Sequence, residues 1–147
     1  SGGTLAGIAD YLRGQKADVK IGIADPPGAA LYEYYKNGEL KSDGSSITEG
    51  IGQGRITANL EGLDIDYPYH IPDAESLQAA FDLLKYEGLA LGSSSGVNVA
   101  GAIRLAKDMG PGHTIVTILC DGAAKYQSKM FNRDFLEEKG LPVPDWL

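Results

Sequence analysis

The sequence predicts an α/β layer fold built on a mainly parallel sheet. Two observations carry that reading. Short apolar runs alternate with stretches of helical spacing along the chain. The sharpest transition is Leu89-Ala90-Leu91, a buried-strand pattern that stops at Gly92-Ser93-Ser94-Ser95-Gly96 and restarts with Val99, Ile103 and Ala106 on one helix face. A strand-to-helix turn of this kind presents hydroxyls and free backbone N–H groups, where a polar ring atom or an anion can be held. An ordinary Ser-capped helix start explains the same residues equally well.

At 147 residues the chain has the size of one domain able to bury a core. With 43% hydrophobic and 22% charged residues it should be globular rather than disordered. A net charge of −7 argues against a nucleic-acid surface, because phosphate backbones need clustered Lys and Arg, which are scattered here. No run approaches the ~18 apolar residues of a membrane span and no basic-then-apolar leader opens the chain, so a cytoplasmic location is expected. Cys120 is the single cysteine, which leaves no internal disulfide and no Cys-based zinc site. At the end of the apolar run 115–119 it is expected to be a buried, unreactive thiol. His70 and His113 lack the spacing of paired metal ligands and are expected to be structural, with no metal bound.

Taken in order, Leu5, Ile8, Ala9 and Leu12 recur at helical spacing, and Gly14 is placed to end that helix. Ahead of it, Ser1-Gly2-Gly3-Thr4 has the composition of a phosphate cradle, with glycines that allow close approach and a helix start facing the anion. The chain begins inside this signal with no strand before it, which points to a fragment. Residues 18–24 alternate as a strand, and Asp25-Pro26-Pro27-Gly28 stops it. Leu31, Tyr34 and Tyr35 give a short helix ending near Asn37-Gly38, its tyrosines read as packing rings rather than as an aromatic binding face.

From Gly38 to Gly62 periodicity is lost. The segment Glu49-Gly50-Ile51-Gly52-Gln53-Gly54-Arg55 at its centre is bare enough to approach a ligand closely, or is a mobile surface loop. No Gly-Lys-Ser/Thr follows, which excludes a nucleotide P-loop. Asp64 and Asp66 without a third partner read as solvated. Tyr67-Pro68-Tyr69-His70-Ile71 is a short strand with Pro68 at an edge or early position. Asp73 is read as the cap of a helix striped by Leu77, Phe81 and Leu84 and ended by Gly88. Met109-Gly110-Pro111-Gly112 breaks the helix that follows the serine turn, and His113 to Leu119 is the most strand-like run in the chain. Asp121 then stands at the carboxyl end of a strand, where open α/β sheets bind ligands, with simple helix capping as the plainer reading. The tail from Leu141 is expected to be extended and docked through Trp146.

Four stretches, in this order, resemble one family: Ser1-Gly2-Gly3-Thr4-Leu5-Ala6-Gly7, Glu49-Gly50-Ile51-Gly52-Gln53-Gly54, Leu91-Gly92-Ser93-Ser94-Ser95-Gly96 and Leu119-Cys120-Asp121-Gly122-Ala123-Ala124-Lys125-Tyr126. The resemblance is to the carboxyl-terminal half of cysteine synthase, also called O-acetylserine sulfhydrylase, a pyridoxal-phosphate enzyme of the β-replacement type and a relative of cystathionine β-synthase. It implies the tryptophan synthase β-subunit-like pyridoxal-phosphate fold, a three-layer open sheet. Residues 1–147 would form the larger-domain part of a two-domain enzyme whose amino-terminal half is absent here.

The resemblance further implies pyridoxal phosphate as cofactor, with its phosphate on Ser1, Gly2, Gly3 and Thr4 and its ring nitrogen at Ser94. Substrate would lie beside Gly50, Ile51 and Gly52. Ser1 stands where the family usually has Thr, which keeps the hydroxyl. A neutral serine at the ring nitrogen makes a weaker electron sink than an aspartate, which suits β-elimination better than transamination. Many relatives carry Ser or Gly where this chain has Gly122 and Ala123, and no catalytic role is assigned to either.

The family's Schiff-base lysine, and the Ser/Thr/Asn loop that grips the substrate carboxylate, lie in the amino-terminal half. No lysine here, Lys129 included, stands in that context. No catalytic residue is therefore expected in this chain, which alone should be inactive. For the whole, the resemblance implies a transferase of cysteine biosynthesis that makes L-cysteine and acetate from O-acetyl-L-serine and sulfide. A cystathionine β-synthase-like enzyme and a non-catalytic ligand- or peptide-binding module of the same fold are the alternatives. The expected partners are the amino-terminal half, a second copy in a homodimer, small-molecule substrates and the carboxyl-terminal tail of serine acetyltransferase, with neither nucleic acid nor membrane.

Overall fold

The computed structural model describes residues 1–16 and 18–147. Two strands, β1 (Gly22–Asp25) and β2 (Tyr67–His70), pair in parallel with Gly22 opposite Tyr67 and Asp25 opposite His70. Because side chains alternate along a strand, β1 sends Ile23 to one face and Ala24 to the other. On the Ile23 side lie α2 (Leu31–Asn37) and Leu5 of α1 (Gly3–Gln15), gathered with Leu31 and Leu60 into one cluster. On the Ala24 side α4 (Ser93–Met109) packs Val97 and Ala100 with Ile71. Helices on both faces of a parallel pair are the layered α/β arrangement that the alternation predicts.

Outside α4 lies α3 (Asp73–Glu87), and the two helices touch at Gly96, which faces the Ser76 carbonyl and the Ala80 methyl. The carboxyl-terminal segment, with a 3-10 turn at Ala123–Tyr126 and α5 (Arg133–Glu138), closes over α3 through Met130 and Leu136, which meet Leu77, Ala80 and Phe81. Trp146 packs its ring edge against Phe81 with centroids 5.6 Å apart, the docking expected of the tail. Arg104 on α4 clamps the layers, donating to both Glu75 oxygens on α3 and to the His70 carbonyl at the end of β2.

Two helices start at the same end of the sheet. Leu105 lies over Gly22 while Gly101 lies against Ala24, so α4 runs antiparallel to β1 and begins at the carboxyl ends of the strands. Arg13, in the last turn of α1, donates to the Asp64 carbonyl at 2.8 Å and to the Asp66 carboxylate at 2.9 Å, immediately before β2. The start of α1 is thereby directed to that carboxyl end as well.

α1 carries Gly7 on its exposed side, where an added Cβ would meet nothing within 4 Å. Gly7→Ala should therefore raise stability by about 0.5–1 kcal/mol by restricting the unfolded chain. A thermal melt checks this, and an unchanged or lower midpoint would contradict a helix there.

Several expectations need correction. The helix ends after Gln15 with Lys16 as its cap residue, so Gly14 lies inside α1. Of the first predicted strand only Gly22 to Ala24 joins the ladder, which runs on into Asp25, the residue expected to stop it. Pro72, not Asp73, is the N-cap of α3; the Asp73 carboxylate instead accepts the Ile47 N–H at 2.8 Å and the Ser46 hydroxyl, tying down the long loop. The predicted strand at Leu89 to Leu91 is not buried: Leu89 is 41% exposed and Leu91 makes one isolated antiparallel bridge, to Gly122. His113 to Leu119 forms no ladder, Val116 is 83% exposed, and Cys120 is an exposed thiol rather than a buried one. The cause is shared. A β pattern becomes a buried strand only beside a neighbour, and among the described residues the 89–91 run pairs only with the turn at Gly122 and Ala123, while the backbone of 113–119 pairs with none.

His113 is exposed, and His70 packs against Tyr32 with ring centroids 5.5 Å apart. Among the described residues no group of three His, Cys, Asp or Glu could hold a metal ion, and no helix is long and apolar enough to cross a membrane.

Candidate cofactor-binding site

At the start of α1 the chain leaves backbone donors free. Gly2 is the N-cap with φ 73°, a left-handed conformation that favours glycine, and a Cβ on it would come within 2.5 Å of the Leu60 side chain. No side chain caps this end; the Gly3 N–H reaches only the Ser1 hydroxyl, at 3.5 Å. The first turn of a 13-residue helix therefore presents its N–H groups and the positive end of its dipole outward. The Ser1 carbonyl is held by the Thr57 hydroxyl at 2.7 Å and the Asn59 amide at 3.2 Å, so the loop is fixed in place from the far side of the sequence.

At the start of α4, by contrast, everything is buried. Residues 92–97 are shielded from solvent, and Gly92 donates to the Asp121 carbonyl at 2.9 Å. A Cβ on Gly92 would strike Asp121 Oδ1 and the Tyr126 ring, so only glycine allows this approach. The Ser95 hydroxyl accepts the Cys120 N–H at 2.9 Å. Among the described residues the Ser93 hydroxyl, on a residue only 3% exposed, has no partner, and neither does Asp121 Oδ1. Asp121 caps nothing; its other oxygen accepts from the Tyr126 hydroxyl at 2.9 Å and from Lys125 at 3.3 Å. That hydrogen bond, together with desolvation, pushes the Tyr126 hydroxyl above its ordinary pKa. Buried polar atoms without partners are costly, and two beside one helix start mark a place for a polar ligand or water.

The glycine-rich loop lies between Pro26 and α4. Gly52 fits against Ala29 and Pro26, Ala30 donates to the Gln53 carbonyl at 2.8 Å, and Gly28 donates to the Asp43 carbonyl at 2.7 Å. Ile51 packs on the cluster of Ile71, Val97 and Ala100, which brings Gly50 and Gly52 towards the first turns of α4, where Ser94 sits. A polar cleft of about 300 Å³ opens here, lined in part by Gly28, Ser45, Thr48, Gly52 and Gln53. Glu49 pairs with Lys129, a further tie on the loop.

Two aspartates read as stop or solvent residues are structural anchors. Buried Asp25, at the carboxyl end of β1, accepts the Tyr32 N–H at 3.0 Å and so caps α2 from a distance. Burial pushes its carboxyl up, against the pull of the Tyr32 and Leu31 N–H groups. Asp66 accepts from the Ile21 N–H, Lys20 and Arg13, each at 2.9 Å. Desolvation raises its carboxyl, but these donors together outweigh it and hold the group below its usual range. A carboxyl whose folded pKa is depressed contributes stability above its unfolded pKa of about 3.9, and that contribution is lost as pH falls through the folded value. The melting temperature should accordingly drop on acidification below about pH 4, and Asp66→Asn should flatten that drop while lowering stability at neutral pH.

The residues present fit a phosphate-bearing aromatic cofactor. Uncapped N–H groups and a glycine cradle face outward at α1, while buried, unpartnered polar atoms lie at α4, and both helix starts stand at the carboxyl ends of the strands. Thr57, Asn59 and Leu60, which shape the cradle, were not legible as site residues. Their contacts with Ser1 and Gly2 span more than fifty residues and leave no local pattern.

Residues 1–121 match the family described as pyridoxal-phosphate dependent enzyme, and the chain belongs to that family. Its members take pyridoxal phosphate as cofactor. Among individual relatives, the chain is similar to cysteine synthase 1 of Emericella nidulans, 46% identical over 96% of this chain and 40% of that protein. It is also similar to a cystathionine beta-synthase of Apis mellifera, 34% identical over 98% of this chain and 28% of that protein. The crystal structure of the O-acetylserine dependent cystathionine beta-synthase from Helicobacter pylori superposes with a TM-score of 0.77 at 36% identity, covering 87% of this chain and 40% of that one. The chain thus spans about 40% of the length of the cysteine synthase it matches.

Proposed function

We propose that this chain is the carboxyl-terminal, larger-domain part of a cytoplasmic, homodimeric cysteine synthase that makes L-cysteine and acetate from O-acetyl-L-serine and sulfide. The observation that carries this reading is the 46% identity to a cysteine synthase over nearly the whole chain, against 34% to a cystathionine beta-synthase. When bound, pyridoxal phosphate supplies an electron sink for breaking and making bonds at the amino acid's β-carbon. Ser1, Gly2, Gly3 and Thr4 hold its phosphate, where a dianion gains charge-assisted hydrogen bonds from N–H and hydroxyl donors. Ser94, on a buried helix start, gives the ring nitrogen a hydroxyl partner that carries no charge. Gly50, Ile51 and Gly52 lie beside the substrate and leave it room. The lysine that binds the cofactor and moves the proton belongs to the amino-terminal half, and the tail of serine acetyltransferase is a peptide partner of the assembled cleft.

The test joins this chain to the part of the Emericella nidulans enzyme that lies outside the match, then supplies cofactor, O-acetylserine and sulfide. Cysteine and acetate should form in equal amounts, and this chain alone should form neither. A joined protein that binds the cofactor and makes no cysteine sinks the proposal. Formation of cystathionine when an amino-acid thiol replaces sulfide, in preference to cysteine, would favour the second reading that the Helicobacter pylori structure motivates.

A further inference from the structure

Asp121 has no part in the proposed chemistry, yet it holds the turn on which Ser94 stands. The Gly92 N–H, at the N-cap of α4, donates to the Asp121 carbonyl at 2.9 Å. The Ala123 N–H donates to the Ala90 carbonyl at 3.1 Å, and Leu91 bridges to Gly122, so residues 90–92 and 121–123 lie side by side. A Cβ on Gly92 would strike Asp121 Oδ1 and come within 2.5 Å of the Tyr126 ring, so both side chains close on the same residue. No side chain caps the start of α4, and the buried Ser93 hydroxyl has no partner among the described residues. The turn is therefore fixed from outside.

Asp121 is itself fixed. The Tyr126 hydroxyl donates to its Oδ2 at 2.9 Å. Lys125 reaches the same oxygen at 3.3 Å, but its side chain is 76% exposed, and a solvated ion pair of this kind holds little. Tyr126 is the firm partner, because it packs on the cluster of Leu77, Phe81, Met130 and Leu136, and its carbonyl accepts the Met130 N–H at 2.9 Å. Direct contacts thus run from the carboxyl-terminal core through Tyr126 and Asp121 to Gly92, two residues before Ser94.

We infer that Asp121 and Tyr126 are positioning residues for Ser94: the pair sets where the first turn of α4 begins, and so where the Ser94 hydroxyl meets the cofactor ring. Hydrogen bonds weaken steeply as distance and angle depart from their optimum, so a first turn free to slide loses affinity without losing the fold. Both residues act through the backbone of residues 92–94. The inference rests on the reading that Ser94 partners the ring nitrogen of pyridoxal phosphate. A pair that only anchored the carboxyl-terminal segment would cost stability whether or not Ser94 were present.

The test measures pyridoxal-phosphate affinity by equilibrium dialysis, on this chain joined to the remainder of the Emericella nidulans enzyme. Tyr126→Phe should weaken binding about 5-fold, and Asp121→Ala at least as much. Asp121→Asn keeps an oxygen for the Tyr126 hydroxyl and should stay within about 2-fold of the unsubstituted enzyme. In a Ser94→Ala background, itself about 10-fold weaker, Tyr126→Phe should cost less than about 1.5-fold, because no hydroxyl is left to position. Equal losses from Tyr126→Phe in both backgrounds would overturn the inference, as would a Tyr126→Phe enzyme that binds normally. Removal of one oxygen should lower the melting midpoint by no more than roughly 5 °C, and a larger fall would give the pair to the fold rather than to the site. Ser94→Ala with unchanged affinity would refute the ring-nitrogen assignment and the inference with it. Product formation reads out separately: coupled losses in a joined enzyme that makes no cysteine refute the proposed reaction and leave the pair standing, and cysteine formation with uncoupled losses does the reverse.

Discussion

Gly96→Ala should cost about 3 kcal/mol and lower the melting temperature by roughly 6–12 °C. The added methyl would overlap the Ser76 carbonyl oxygen, with the Ser76 carbonyl carbon at 3.0 Å and the Ala80 methyl at 3.2 Å. Backbone cannot rotate out of the way as a side chain can, so α3 and α4 have to separate. Separation would loosen the packing of Val97 on Ile71 and strain the Arg104 clamp between the helices. The same substitution at Gly7, in a helix with open space around it, has the opposite expected sign. Circular dichroism melts of the two variants side by side check the contrast. Equal midpoints would show that the α3 and α4 contact is not as close as described.

The second large effect belongs to the cradle at α1. Gly2→Ala should weaken binding of pyridoxal phosphate at least ~10-fold, because φ 73° is strained for any side chain and the methyl meets Leu60 at 2.5 Å. Leu60→Ala should cost about 2–5 kcal/mol by opening a cavity, since Leu60 is buried in the cluster with Ile23 and Leu31. The double variant separates the two causes. Removing Leu60 relieves the overlap and leaves the unfavourable φ, so part of the affinity lost in Gly2→Ala should return. Equilibrium dialysis of the cofactor against the three variants of the joined enzyme measures this. Full additivity of the two losses would mean that the methyl and Leu60 do not meet.

Much of this architecture was legible because it is local. Helical spacing placed α1, α2, α3 and α4, and Gly38 and Gly88 end two of them as read. The serine turn at the start of α4 was legible from a single break in pattern. What stayed hidden depends on residues distant in sequence or outside it. Asp66 looked solvated because its three donors, Arg13, Lys20 and Ile21, sit about 45 or more residues away. Asp73 looked like a cap because Asp before an apolar stripe usually is one, yet its carboxylate faces the loop at Ser46 and Ile47. The runs at residues 89–91 and 113–119 were read as buried strands and form neither a ladder nor a buried layer, because burial is a property of the neighbour as much as of the strand.

The hold of Thr57 and Asn59 on the Ser1 carbonyl has a kinetic consequence. Contacts between α3 and α4 close a short stretch of chain and can form early, whereas the cradle requires residues 56 and 58 positions apart to meet. Closing the longer loop has the higher entropy barrier, and non-local contacts of this kind set the slow end of folding. The amino-terminal end of α1 is therefore assembled late, after the layer that backs it. Cofactor capture would then act as a timer, reporting the last event of folding rather than guiding the first.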